Sequence, residues 1–326
     1  MTGPDPSPHP PSGEHLLAHL RNHYGVDAVA ATPVRRHNDH VFRIDRDDGP
    51  PWIARAYPSS RPRHRVDGDA AILRVLERNG YPAERPAVDD AVSVLDGGPI
   101  LVTGCIDGGP LPDGGEKMAM MGDLLGRLHA LPVDAASDRR GGAAGDEPGR
   151  EGGPDQDLMA AWSLLDTVDA VIGHEARDRF ERLRSQVRSA DAGEGLPEAL
   201  VHGNLLHDPD HALLTAAGPV AINWRTAGRG PRLADLAYLL WGAEWGDGNG
   251  VAVAVGAYRR HIEPTDDELD RLEAVMYLRP LYLACVDLRR TVEGGRQPTG
   301  DEWWWGLIDP DHIAANAEAA RAAFRA

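Results

Sequence analysis

Residues 200–240 constrain the fold more than any other stretch of this chain. Ala199-Leu200-Val201 is a short apolar run that reads as the end of a buried strand. His202-Gly203-Asn204 follows as a polar loop. A second apolar run, Pro219-Val220-Ala221-Ile222, delivers Asn223-Trp224. Gly228-Arg229-Gly230-Pro231 reads as a turn cluster. Leu233, Leu236, Leu239 and Leu240 then mark an apolar helix with Asp235 near its start. His202, His207, Asp208, Asp210 and His211 crowd the first loop. Their H-D-P-D-H spacing lacks the helical geometry of zinc-binding histidines, and no Cys is near, so the reading is a solvated turn fixed by Pro209 and no metal ligand is assigned.

This frame resembles the core of the aminoglycoside phosphotransferase and choline kinase group, relatives of the protein kinases. Their pattern runs H-G-D-x-H-x-x-N, then I-D-W, then G-x-G-P-x-x-D-L-A. Here the frame stands while the reactive groups differ. Asn204 occupies the place of the base Asp, Leu206 that of the second His, Pro209 that of the metal-binding Asn, and Asn223 that of the metal-binding Asp. Asp235 matches the buried Asp that braces the loop backbone in that group.

The differences carry chemical weight. Phosphoryl transfer is mostly positioning and charge neutralisation. An amide cannot take the proton of a substrate hydroxyl, and an Asn carbonyl is a weak, neutral ligand for a hard cation such as magnesium. Several independent losses point to a changed role. The competing reading is a kinase in which Asp208 or Asp210 has become the base.

The 326 residues suit one large domain or two lobes, and the hydrophobic share of 42% fills a core of that size. No apolar run reaches membrane-spanning length. The opening MTGPDPSPHPPSGEH is no secretory signal and, being rich in Pro and Gly, is expected to be a disordered tail over 1–13. Cys105 and Cys285 make no disulfide framework, so a cytoplasmic protein is expected. The formal net charge of −17 disfavours nucleic acid and either favours cationic partners or simply keeps the chain soluble. Lys117 is the single lysine, and the Arg-, Ala- and Gly-rich composition points to a high-GC bacterial source.

Upstream, residues 15–23 read as a helix and 28–36, 40–46 and 51–57 as strands. A helix over 67–77 and a hairpin of 92–95 with 100–103 complete a small lobe. By the resemblance, Arg55 holds the place of the phosphate-gripping lysine, Asp69 is its acidic partner, and Thr103 and Cys105 open the hinge where backbone groups meet an adenine. No lysine precedes residue 117, so no shift of alignment restores one. Helices follow at 117–131, 158–171, 174–188 and 251–261. Thr265-Asp266-Asp267-Glu268 opens a long helix to about residue 290 that Pro280 should kink, and the last helix spans 310–324. Residues 138–157 are a low-complexity insert.

The expected architecture is α+β, a two-lobed protein kinase-like fold. A small antiparallel β lobe spans 14–104, a hinge 105–115, and a mostly helical lobe 116–326. Three functions stay open: a pseudokinase-like binder of a small molecule or peptide in the interlobe cleft, in natural-product or modified-peptide biosynthesis; an active ATP-dependent phosphotransferase; or a non-kinase enzyme such as a peptide thioether cyclase. ATP and Mg²⁺ are cofactors only under the second. The ligand is a small molecule or peptide, a cationic one suiting the charge, with a protein partner also open and neither nucleic acid nor membrane expected.

Overall fold

The computed structural model describes residues 11–34, 40–132, 139–141, 154–205, 211–243, 249–296, 298 and 303–326. Residues 1–10 of the expected tail, most of the low-complexity insert and the loop residues Leu206, His207, Asp208, Pro209 and Asp210 lie outside the described residues, while at the end of that tail Ser12 and Gly13 already form the cap and first residue of a helix. In chain order the elements are α1 (Gly13–Tyr24), β1 (Ala28–Pro33), β2 (His40–Arg46), β3 (Trp52–Ala56), α2 (Arg63–Arg78), β4 (Val92–Leu95), β5 (Gly98–Gly104), α3 (Gly115–His129), α4 (Pro154–Val168), α5 (His174–Ser189), β6 (Glu198–Val201), β7 (Ala212–Thr215), β8 (Gly218–Ala221), β9 (Gly228–Pro231), α6 (Arg232–Trp241), α7 (Gly250–Tyr258), α8 (Asp266–Met276), α9 (Leu278–Glu293) and α10 (Pro310–Arg325). Two compact units result: Met1–Pro110 with Ala212–Arg225, and Leu111–His211 with Thr226–Ala326. The β7–β8 hairpin thus belongs with the first unit, a return of the chain that the contiguous division at 104 and 116 does not contain.

The first unit is built on an antiparallel sheet of order β1-β2-β3-β5-β4. Alternation sets its faces: Trp52, Ala54 and Ala56 are buried while Ile53 and Arg55 are less so. Helix α2 supplies Val66, Ala70, Ile72, Leu73, Val75 and Leu76 to the core. It starts at Arg63, four residues before the expected Asp67. Helix α1 is capped by the Ser12 hydroxyl, which accepts from the His15 N–H at 3.2 Å, and ends on Gly25 at φ 67°.

The second unit is helical. Helices α3 and α7 pack so closely that a Cβ at position 122 would collide with the Ala254 carbonyl oxygen, so only glycine fits there. The expected turn at 228–231 is instead strand β9, paired antiparallel with β6 in the register Leu200↔Arg229 and Val201↔Gly228. Glycine is needed there for proximity rather than for turning, because a Cβ at 228 would lie 2.5 Å from the Gly141 nitrogen. Arg229 exchanges backbone hydrogen bonds with Arg139 and Gly141 at 2.7 and 3.0 Å. The expected long kinked helix is two helices, α8 and α9, breaking at Tyr277. Proline clashes with the carbonyl four residues earlier, so Pro280 excludes a continuous helix at Met276 and sits in the first turn of α9, where its missing N–H is harmless.

Helix α8 carries the expected capping box of Thr265 and Glu268. Glu268 is also gripped by Arg232, Nε to Oε1 at 2.8 Å and Nη2 to Oε2 at 2.7 Å. Burial would push the Glu268 carboxyl up; the hydrogen bonds from Arg232 and Thr265 outweigh it and hold it below the usual range. A depressed carboxylate stabilises the fold fully above its unfolded value of about 4.3 and loses that contribution as pH falls through the lower folded value. We expect the acid-side loss of stability below about pH 4.3 to be shallower in Glu268→Gln than in the wild type. Urea midpoints measured between about pH 3 and 6 test this, and parallel profiles would refute it.

Candidate functional site

The loop after β6 is shaped by one carboxylate. Asp235, in the first turn of α6 and 4% exposed, accepts the His202 N–H on Oδ2 at 2.6 Å and the Gly203 N–H on Oδ1 at 2.9 Å. Thr226 Oγ1 donates to the His202 carbonyl at 2.9 Å, and Gly203 takes φ 77°. The loop backbone is therefore fixed from both sides, as the resemblance implied for Asp235. His129, at the end of α3, lies behind it, with Nδ1 3.0 Å from the Tyr258 hydroxyl and Nε2 3.8 Å from Asp235 Oδ2. Burial lowers the His129 pKa against the pull of Asp235, so the imidazole is held neutral.

Asn204 is engaged at both ends of its amide. Arg279 Nη2 donates to Oδ1 at 2.6 Å. A guanidinium only donates, which assigns Oδ1 as the acceptor and leaves the amide N–H₂ to meet His211 Nε2 at 2.7 Å. His211 therefore accepts through Nε2 and is neutral on that nitrogen. Arg279 lies over the rings of Tyr238 and Tyr282, 5.4 and 5.6 Å from their centroids.

The other sequence-derived positions lie in the first unit, around a residue the sequence did not reveal. Glu84, 4% exposed, lies in the irregular stretch after α2. Its Oε2 pairs with Arg55 Nη2 at 2.7 Å and accepts from Thr103 Oγ1 at 3.2 Å; its Oε1 accepts the Asn223 backbone N–H at 2.8 Å. Arg55 Nη1 also donates to Thr103 Oγ1 at 3.2 Å. Three of the expected positions, Arg55, Thr103 and Asn223, thus converge on one buried carboxylate. Asn223 adopts φ 69°, a left-handed conformation that Asn tolerates better than most residues. Asp69, expected beside Arg55, is 1% exposed and pairs with Arg61 at 3.0 Å; the Arg61 guanidinium also reaches the Arg225 carbonyl and lies over Tyr57. Arg61 lies two residues before α2 and pairs with Asp69 within that helix, while Arg55 pairs with Glu84. The Cys105 N–H, an expected adenine contact, donates to the Pro51 carbonyl at 3.0 Å, and burial raises the Cys105 thiol pKa. Asp208 and Asp210 lie outside the described residues. Among the described residues no group of three or more His, Cys, Asp or Glu side chains is arranged to hold a metal ion, and no helix is long and apolar enough to cross a membrane.

A five-stranded antiparallel sheet with its flanking helices, followed by a helical unit that carries a carboxylate-braced loop, defines a protein kinase-like fold. Within that class the chain belongs to the phosphotransferase enzyme family, whose profile matches residues 31–274. Solved structures agree on the fold. Spectinomycin phosphotransferase APH(9)-Ia, in complex with ADP and spectinomycin, is 13% identical with a TM-score of 0.62, over 96% of this chain and 99% of that one. Aminoglycoside phosphotransferase APH(3'')-Id from Streptomyces rimosus is 22% identical with a TM-score of 0.57, over 82% and 98%. Macrolide 2'-phosphotransferase MphH from Brachybacterium faecium is 22% identical with a TM-score of 0.53, over 94% and 98%. A search of curated proteins found no match.

Proposed function

We propose that this chain is a family member that no longer transfers phosphate and that binds a small molecule or peptide at its Asn204 loop. The carrying observation is the Asn204 amide, neutral and hydrogen-bonded at both ends to Arg279 and His211. A group so engaged neither takes a proton nor turns to meet a hydroxyl. The rest of the site supports this. Asn223 offers an amide where a magnesium ligand would be acidic, and an arginine, Arg55, stands in place of the lysine. These described residues do not fit a magnesium–nucleotide complex. Spectinomycin phosphotransferase is solved in complex with ADP and spectinomycin, and a ligand of the size of spectinomycin suits a role in natural-product or modified-peptide biosynthesis.

Calorimetry with ATP and magnesium is expected to show weak binding or none; a low-micromolar, magnesium-dependent dissociation constant would sink the proposal. ATP consumption by the wild type, Asp208→Ala, Asp210→Ala and the double variant Asn204→Asp/Asn223→Asp is expected to be negligible throughout. The double variant stays inactive because a carboxylate placed against Arg279 would be ion-paired and held at low basicity. Robust wild-type turnover that falls by about two orders of magnitude or more in either alanine variant would install a working kinase instead.

A further inference from the structure

Helix α1 carries histidines at 15, 19 and 23, spaced i, i+4 and i+8 and therefore in one row along the helix. Beside that row Leu16 and Leu20 are fully buried, and the helix touches β1 and β4 of the sheet. The histidines lie at the edge of this contact. His19 Nε2 is 2.8 Å from the hydroxyl of Ser93, a β4 residue that is 1% exposed. His15 Nδ1 is 3.2 Å from Asp96 Oδ2 in the β4–β5 turn. The rings of His19 and His23 stack with centroids 5.5 Å apart. His23 meets Tyr24 edge-on at 4.6 Å, and Tyr24 meets Trp52 of β3 at 5.8 Å.

We propose that α1 is an acid-sensitive latch: protonation of the histidine row loosens it from β4 and from the rest of the first unit's sheet. Two charges on rings stacked at 5.5 Å repel, and a proton on His19 brings charge against the buried Ser93 contact. Asp96 opposes this by attracting a charged His15 or His19. The side chains of His15 and Asp96 are 50% and 67% exposed, however, so water screens that pair. The other charged groups packed around the helix act elsewhere. Glu14 is exposed in the first turn, Arg21 donates to the Ala28 carbonyl at 2.7 Å, Arg46 lies over Trp52, and Asp90 and Arg63 act on Tyr24. Strand β1 adds no titratable side chain. The titration of His19 agrees with this balance: burial first, then His23 and His15, lower its pKa below 6.5 against the pull of Asp96. A histidine so lowered holds the helix fully above about pH 6.5 and gives up that contribution as pH falls through the docked value.

The test follows the full chain between about pH 5 and 7.5. It reads the His19 ring proton resonance and the hydrogen exchange of α1, taken relative to α2 of the same unit and corrected for intrinsic exchange. His19 is expected to titrate below about 6.5. On acidification α1 exchange is expected to rise by about tenfold for each pH unit between the docked and released values, while α2 stays level. His19→Gln keeps an amide to meet Ser93 but does not titrate, and it is expected to remove most of that rise. Asp96→Asn, which the φ of 51° at that position tolerates, is expected to lower the His19 midpoint, and His23→Gln to raise it. A His19 midpoint at or above about 6.5, equal responses of α1 and α2, or a His19→Gln chain that responds like the wild type overturns the proposal. Should His19→Gln fail to fold, the other two variants decide, and His19 midpoints that stay put in both overturn it as well.

Discussion

Asp235→Ala is expected to destabilise the second unit by about 2–6 kcal/mol, because two buried N–H groups at about 1–3 kcal/mol each lose their acceptor. The two are those of His202 and Gly203, at 2.6 and 2.9 Å from the carboxylate. His202 is fully buried and Asp235 is 4% exposed, so the lost bonds are ones shielded from bulk water. Asp235→Asn should fall between wild type and alanine: its carbonyl oxygen accepts from one N–H, while its own N–H₂ faces the other. Thermal and urea unfolding of the three proteins checks the order, and hydrogen exchange at 202–204 checks the place. An alanine variant with the wild-type melting temperature would show that the loop does not depend on this brace. The effect belongs to folding, because Asp235 binds backbone and not ligand.

That residue was legible in the sequence because two regularities met on it. The leucine spacing of α6 announces a helix, and a carboxylate early in so apolar a segment needs partners. Helices α3 and α5 were legible by the same 3.6-residue stripe and strand β2 by alternation, while α8 and α9 were read as one helix from the capping box at Thr265. Strand β9 was not, since Gly228, Gly230 and Pro231 carry the composition of a turn, and the close approach of Gly141 that calls for glycine is a tertiary fact. Strand β7 hid in the polar surroundings of the same loop. Glu84 hid for another reason: residues 81–91 have no period, and a lone acid among prolines in YPAERP looks solvated. Its one signal was the run of apolar and Pro neighbours, which left a carboxylate little surface. Arg279 was hidden likewise, as a single Arg in an apolar helix reads as a side chain reaching for solvent. The resemblance set Asn204 at the place of the family's base, but the sequence could not show that Arg279 and His211 hold its amide.

Glu84→Leu is expected to destabilise the first unit by about 3–5 kcal/mol, the scale for removing one partner of a buried ion pair. Glu84 is 4% exposed and the Arg55 side chain 13%, so neither end is screened by water. Leucine removes the counter-charge of Arg55, the acceptor of Thr103 Oγ1 and the acceptor of the Asn223 N–H together. The double variant Arg55→Met/Glu84→Leu should recover part of the loss, because a matched apolar pair no longer leaves a buried charge. The recovery is incomplete, since the Asn223 N–H stays unpaired at about 1–3 kcal/mol. A double-mutant cycle of urea unfolding measures both quantities. Additive single effects would mean that Arg55 is not held by Glu84, and its charge would then be available to a ligand. A strong coupling instead shows that Glu84 is the acidic partner of Arg55, the place the resemblance gave to Asp69, and that this pair is part of what holds the first unit together.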